Sequence, residues 1–412
     1  MLTVADALKC VLDQVRPLSP VAARLDRAAL GLTLAEDVVS DLDMPPFAKA
    51  LMDGYAVRSE DVAGGSGQLT VVEEITAGRT PTRALGQGEA ARIMTGAPLP
   101  ECSDAVVMIE RTRPAQNGRV DIEDAALKPG LNIMPRGQEM RRGETVLTTG
   151  TRLRPQEFGL LATLGRATVP VHPAPQVAIL STGDEIVEPS AKPGPGQIRN
   201  SNGPMLVAQV ARAGGTPRYI GIATDHGESL RPLIAEGLRH DVLVLAGGVS
   251  AGKLDLVPQA LAEVGVRPLF HKVAMKPGKP LLFGVQPRPE LGGPPRLVFG
   301  LPGNPVSAMV CFELFVRPAL RALMALPPGP QYVQAALAED FAYRSDRPTY
   351  HPARLVKAEG TAHSVGAAVV ETLDWAGSAD LLGLAGAEGF AVFPAGDRVF
   401  EAGEIVRFLP LR

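Results

Sequence analysis

Cysteine is scarce in this chain: three residues among 412, Cys10, Cys102 and Cys311, far from one another. They make no CxxC pair, and the six histidines make no HxxxH. A disulfide framework or a structural zinc site is therefore not expected, which fits a reducing cytoplasm. No apolar run approaches the ~20 residues of a membrane-spanning helix, so no membrane partner is expected. Basic excess is missing too. Lys and Arg number 41 against 44 Asp and Glu, a formal charge of −3, and no nucleic-acid partner is expected without a cationic field. Aromatics make up only 4%, with one tryptophan, which leaves the cores to Ala, Leu and Val. There is no GxxxxGK[ST], so a P-loop is excluded.

What is present is punctuation, 44 Gly and 38 Pro, in a chain long enough for roughly three domains. "MLTVADALKCVLDQV" carries Asp6 and Asp13 where a signal peptide would be basic and then apolar. Leu8, Val11, Leu12 and Val15 instead mark an amphipathic helix started by Thr3, with Asp6 three residues on. From 45 to 140, "LTVVEEITAG", "AARIMTG", "DAVVMIE" and "GRVDIE" predict short strands. "GGSG" at 64–67 reads as a linker. The stretch 141–172 turns helical again and is expected to join residues 1–44 in a split linker and dimerisation domain, interrupted by the β-rich 45–140.

From 173 to 326 strand, Gly-rich loop and helix repeat, which predicts a doubly wound, mostly parallel α/β sheet. "MLVAQVARAGG" is a helix with Ser201 or Asn202 as N-cap, Pro204 in its first turn and Gly214 ending it. "DVLVLAGG" is a near-continuous apolar strand, as a sheet covered on both faces requires. The insert 286–296 reads as a hairpin tip or loose loop. After the linker "PPGP", residues 327–412 are expected to form a small β-barrel-like module. The fold class is thus multidomain α/β with a β-rich insertion, a split mixed domain and a terminal β module.

Three loops should meet beyond the carboxyl ends of the parallel strands, where open α/β sheets bind ligands. In "STGDE" these are Ser181, Thr182, Gly183 and Asp184; in "AGGVSAGKLD", Gly247, Gly248, Ser250 and Gly252; in "LPGNPVS", Pro302, Gly303, Asn304 and Ser307. Backbone N–H groups there, with Asn304 and Pro305 opening a helix, suit a phosphate. Yet Asp184, Glu185, Asp225 and Asp255 fall at the same strand ends, and bare carboxylates repel an anion. A divalent cation removes the conflict, since Mg²⁺ takes one or two carboxylates together with phosphate oxygens. Lys276 and Lys279 in "MKPGKP" could hold a second, small oxyanion.

These stretches, with "PPF" (45–47), "MDGYAVR" (52–58), "RIMTGAPLP" (92–100) and "IRNSN" (198–202), together resemble the molybdopterin molybdenumtransferases, the MoeA family that also includes the gephyrin E domain. The resemblance implies that adenylylated molybdopterin and molybdate are the substrates and that molybdenum cofactor and AMP are the products, with Mg²⁺. It implies a homodimer with its cleft between the sheet domain of one subunit and the β-rich module of the other. Transient contacts with a molybdopterin adenylyltransferase, and with molybdoenzyme apo-proteins or their chaperones, follow from it. By matching position, Asp53, Glu185, Asp225 and Asp255 are the important acids, the last three as metal ligands. Thr95 and Ser250 line the cleft, and Lys276 and Lys279 hold molybdate.

The chain departs from the family pattern at Ala48 and Ala50, where polar residues are usual, at Glu139 in place of Asp, and at His226 in place of a second Asp. These departures motivate an alternative function, a catalytically weak paralogue that carries finished cofactor.

Overall fold

The apolar run after Pro175 becomes the strand Gln176–Thr182 (β1), every residue of which from Val177 onward is buried. With it assemble Thr216–Ala223 (β2), Val242–Ala246 (β3), Arg267–Phe270 (β4), Leu282–Gln286 (β5) and Arg296–Leu301 (β6). The order across this six-stranded sheet is β2-β1-β3-β6-β5-β4. The first four strands run parallel, and β5 and β4 close the edge antiparallel. The computed structural model describes residues 1–224, 227–249, 256–288, 293–356 and 368–411.

Period-2 alternation sorts the strands between two cores. Val177, Ile179, Val242, Val244 and Phe299 pack with helices Asn202–Arg212 and Pro305–Cys311. Ala178, Leu180, Leu243, Leu245 and Val298 pack with helices Gly227–Gly237 and Val257–Glu263. Both faces are therefore covered, and the doubly wound expectation holds. The chain order reverses between β1 and β3, which makes their carboxyl ends the switch point of the sheet. The insert 286–296 connects β5 to β6, with Gln286 paired to Arg296.

By contacts the chain divides into two units: Met1–Ala35 with Arg152–Pro155 and Thr168–Arg412, and Glu36–Thr151 with Gln156–Ala167. In the first unit, Thr3 caps the helix Val4–Asp13 by accepting from the Asp6 N–H at 3.1 Å. Ala7, Val11 and Val15 of this segment are buried against the sheet core. The same unit ends in a closed barrel of Val333–Leu337, Ala368–Thr372, Thr349–Val356, Gly389–Phe393 and Ile405–Pro410.

The second unit is built on a six-stranded sheet in the order Ala105–Met108, Gly54–Val57, Glu89–Ile93, Ser66–Ile75, Arg119–Glu123, Thr112–Ala115. All four strands expected in this region are present. The linker reading of "GGSG" is corrected: Ser66 and Gly67 already lie in a strand, and Gly65 (φ +82°) is wedged against Asp124 and Ala125.

One buried charge organises the first unit. Glu313 is 1% exposed. It accepts from Gln209 Nε2 at 3.1 Å, from Arg317 at 2.8 Å and from Arg212, tying two helices of the sheet domain together. A buried carboxylate is tolerated only when its lone pairs are satisfied in this way. Glu313→Gln should cost about 1–3 kcal/mol by leaving hydrogen bonds to a charge unmade, read as a lower urea midpoint with unchanged secondary structure.

Candidate functional site

Three loops do converge at the switch point. A Cβ added to Gly247 (φ +100°) would lie 2.4 Å from the Thr182 carbonyl oxygen, and one on Gly248 (φ +64°) 2.7 Å from Thr182 Oγ1. Only glycine permits this approach of β3's loop to the end of β1. Gly303, after β6, lies beside Gly247, and Asn202 Nδ2 donates to the Gly303 carbonyl at 2.7 Å. Thr182 Oγ1 and Asn202 Oδ1 are both buried there without a hydrogen-bond partner among the described residues. Buried polar atoms without partners are uncommon, which makes these two the open hydrogen-bonding positions of the crevice among the described residues.

The neighbouring groups are already engaged. Ser181 Oγ donates to Asn200 Oδ1 at 3.2 Å, Asn200 Nδ2 to Tyr219 Oη at 2.8 Å, and Tyr219 Oη to Glu188 at 3.0 Å. Burial, then the bond to Glu188, pushes the Tyr219 phenol up to about 12, so it stays a donor. The Gly183 N–H is given to the Ala223 carbonyl, at 3.2 Å, and Val306, in the first turn after Asn304, gives its N–H to the Ser378 carbonyl at 3.1 Å. The anion-binding amides expected at these two points are thus spoken for within the protein.

Asp184 and Glu185 follow at the surface. The Glu185 carboxylate lies over Gly183, where an added Cβ would come within 2.5 Å of Oε2. Asp225, His226, Ser250, Gly252 and Asp255 lie outside the described residues. Among the described residues no three His, Cys, Asp or Glu side chains cluster as a metal cage. A Mg²⁺ that arrives with phosphate needs only one or two protein carboxylates, and Glu185 is an exposed carboxylate beside this crevice. The donor set fits that mode of binding.

Lys276 and Lys279 lie in a different recess, a cavity of about 280 Å³ that also takes in Pro302, Asn304 and Ser307. Its far wall comes from the terminal module: Arg347, Trp375 and Ser378. The Lys276 N–H donates to the Pro348 carbonyl at 2.9 Å, and the Tyr350 N–H to the Lys276 carbonyl at 2.8 Å. Asn304 Nδ2 donates to Ser378 Oγ at 2.8 Å. Arg347 bonds Asp346 at 3.0 Å, and chiefly this bond holds the Asp346 carboxyl below its usual range. His351, edge-on to Trp375 with 5.7 Å between ring centroids, is half-buried. Burial lowers its pKa, and its Nε2 faces the Leu373 carbonyl at 2.9 Å. The cavity's cations are therefore Lys276, Lys279 and Arg347. Sequence reasoning missed Arg347, Trp375 and Ser378, which sit in loops without a recognisable motif.

In the second unit, Asp53 stands exposed at the head of strand Gly54–Val57. Its Oδ1 accepts from the Thr95 N–H at 2.6 Å and from Thr95 Oγ1 at 2.8 Å. These two bonds, the backbone one foremost, hold the Asp53 carboxyl below its ordinary value of 3.8. The Thr95 loop is stitched to the segment before Asp53: the Ala50 N–H donates to Ala97, the Gly96 N–H to Ala50 and the Leu99 N–H to Ala48. Ala50 is 1% exposed and packs with Ala56, Ile75 and Ile93. Glu139 pairs with Lys49 at 3.3 Å.

Three family models match successive parts of the chain. They are the MoeA N-terminal region (domain I and II) over residues 2–165, a probable molybdopterin binding domain over 178–322, and the MoeA C-terminal region (domain IV) over 334–411. The molybdopterin molybdenumtransferase of Bacillus subtilis is 37% identical, covering 92% of this chain and 87% of its own length. That of Staphylococcus aureus is 34% identical over 98% and 94%. A molybdopterin biosynthesis MoeA protein from Pyrococcus horikoshii has the same architecture, with a TM-score of 0.82 at 31% identity over 100% of this chain and 99% of its own. The chain belongs to the MoeA family, the molybdopterin molybdenumtransferases, enzymes of molybdenum cofactor biosynthesis.

Because Asp53's folded pKa lies below 3.8, its bonds to Thr95 contribute in full above pH 3.8 and are lost as pH falls through the lower folded value. Thr95→Val removes the hydroxyl donor and keeps the N–H. The Asp53 pKa, followed by carboxyl NMR titration, should move part of the way back up.

Proposed function

We propose that this chain inserts molybdenum into adenylylated molybdopterin, giving molybdenum cofactor and AMP with Mg²⁺. The observation that carries this reading is the cavity holding Lys276, Lys279 and Arg347 next to Pro302 and Asn304, since Asn202's bond to Gly303 brings the switch-point crevice to the same loop. A dianion and a phosphate-bearing pterin would then sit on adjoining surfaces. Molybdate, as substrate, takes charge-assisted hydrogen bonds from the two lysines and Arg347. The Thr182 hydroxyl and the Asn202 amide oxygen offer the unmet hydrogen bonds to the pterin.

Glu185, with Asp225 and Asp255, would hold Mg²⁺. The cation would offset the charge of the pyrophosphate link as AMP departs. Ser181, Gly183, Asp184, Gly247, Gly248, Ser250, Gly252 and Ser307 complete the proposed substrate surface. Asp53, kept ionised by Thr95, acts in this proposal across a homodimer interface. The apolar side chains beside it support that reading: Phe47, Leu51, Met52 and Ile109 are 42%, 39%, 45% and 40% exposed, an arrangement that marks surfaces awaiting a partner. Residues 1–44 with 141–172, 45–140, 173–326 and 327–412 remain the proposed domains. Among the described residues no helix is long and apolar enough to cross a membrane, and we place the chain in the cytoplasm, in transient contact with a molybdopterin adenylyltransferase and with recipient apo-proteins or their chaperones.

The alternative, a cofactor carrier, took its motive from Ala48, Ala50, Glu139 and His226. Ala50 fills a core position, and Glu139 keeps its carboxylate, so neither favours it.

AMP release from adenylylated molybdopterin decides between the two. Molybdate- and Mg²⁺-dependent release is expected, falling by at least ~100-fold in Asp53→Asn and Glu185→Gln, the scale of one lost electrostatic contact in a transition state. Tight pterin binding without release under any oxyanion would establish the carrier instead. Lys276→Ala with Lys279→Ala should raise the molybdate concentration for half-maximal rate; an effect on pterin affinity alone would move those lysines to the phosphate site.

A further inference from the structure

Sulfate, phosphate and molybdate are all tetrahedral oxyanions, and three cations alone would welcome each of them. The cavity wall is not made of cations alone. Trp375, Pro280 and Pro302 line it beside Lys276, Lys279 and Arg347. An oxyanion entering there exchanges part of its water shell for the ring carbons of indole and pyrrolidine, which donate no strong hydrogen bond to it. The cost of removing an ion from water rises as the ion shrinks, because the Born term varies inversely with radius. Sulfate and phosphate, smaller and more tightly hydrated than molybdate, pay more at such a wall. The charge that attracts all of them is the same.

We infer that Trp375 is a specificity-determining residue, an apolar wall that makes the cavity prefer the larger, weakly hydrated molybdate over sulfate. This rests on the reading of the cavity as the molybdate site. The indole is held rigidly enough for the task. It stands edge-on to the half-buried His351, while its loop is pinned by Asp380, which accepts from the Ala376 N–H at 2.8 Å and the Gly383 N–H at 3.0 Å. Ser378, three residues on, is bonded to Asn304 and Val306. The wall is thus fixed at Ser378 to the helix start that lines the cavity and at Asp380 within its own module. Tungstate, near molybdate in size, should not be distinguished.

The test is molybdate binding by the full-length chain, measured by calorimetry against rising sulfate. In Trp375→Ala the sulfate concentration that halves molybdate binding should fall about tenfold, equivalent to ~1.4 kcal/mol of lost preference. Trp375→Phe, which keeps an apolar wall, should stay near the wild type. Unchanged preference in Trp375→Ala, with molybdate still bound, overturns the inference and leaves the site reading intact. No molybdate binding by the wild type overturns the site reading, and this one with it. A second measurement does not depend on the Ala variant folding. Trp375 is the chain's only tryptophan, so its emission in the wild type should change saturably with molybdate and track the calorimetric curve. Silent emission at calorimetric saturation places the ion away from the indole and refutes the proposal.

Discussion

Two backbone hydrogen bonds hold the cationic cavity together. Through them Lys276 is zipped onto the segment Pro348–Tyr350 at the edge of the terminal barrel. Each bond contributes only about 1 kcal/mol net, yet their geometric effect is large. They set the lysine loop of the sheet domain opposite Arg347, and they do so with main-chain atoms that no side-chain substitution removes. The bonds from Asn304 and Val306 to Ser378 repeat the arrangement on the opposite side. Positive charges that repel one another are thereby kept close, with Asp346 bonded to Arg347 as their one neighbouring counter-ion among the described contacts.

The crevice at the switch point obeys a different constraint, backbone proximity. Gly247 and Gly248 let one loop lie on Thr182, and the Thr182 hydroxyl and the Asn202 amide oxygen are buried nearby without a partner among the described residues. Such groups cost stability in the free protein, and a ligand that satisfies them recovers it. Much of the hydrogen bonding that simple motif reading would assign to a phosphate is instead internal: the Gly183 and Val306 N–H groups serve Ala223 and Ser378. Side-chain and carbonyl groups, more than helix amides, are what this crevice presents.

The parallel sheet was legible because strands buried on both faces have no choice but to be apolar, as "DVLVLAGG" is. The N-terminal helix declared itself by Thr3 and Asp6, since a cap is a local interaction with a local signature. The barrel was only partly legible. Thr349–Val356 contains His351, Pro352 and Arg354, and its register is set by partners distant in sequence, so no period-2 pattern announces it. For the same reason Arg347 and Trp375 escaped notice: they become site residues only because the barrel docks where it does. "GGSG" misled because flexible composition does not distinguish a linker from a tight turn pressed on a neighbouring chain segment. Asp225, Asp255 and Ser250 were readable as residues of the strand-end loops, and they lie outside the described residues.

Because the two lysines come from one side of residue 327 and the arginine from the other, the terminal barrel is not an interchangeable cassette. Swapping it for a relative's barrel would transplant an arginine, an aromatic wall and two docking segments at once. Recombination within the family should therefore succeed when the lysine loop and the barrel travel together, and fail at junctions that separate them. Inheritance, in this molecule, follows the cavity more closely than it follows the domains.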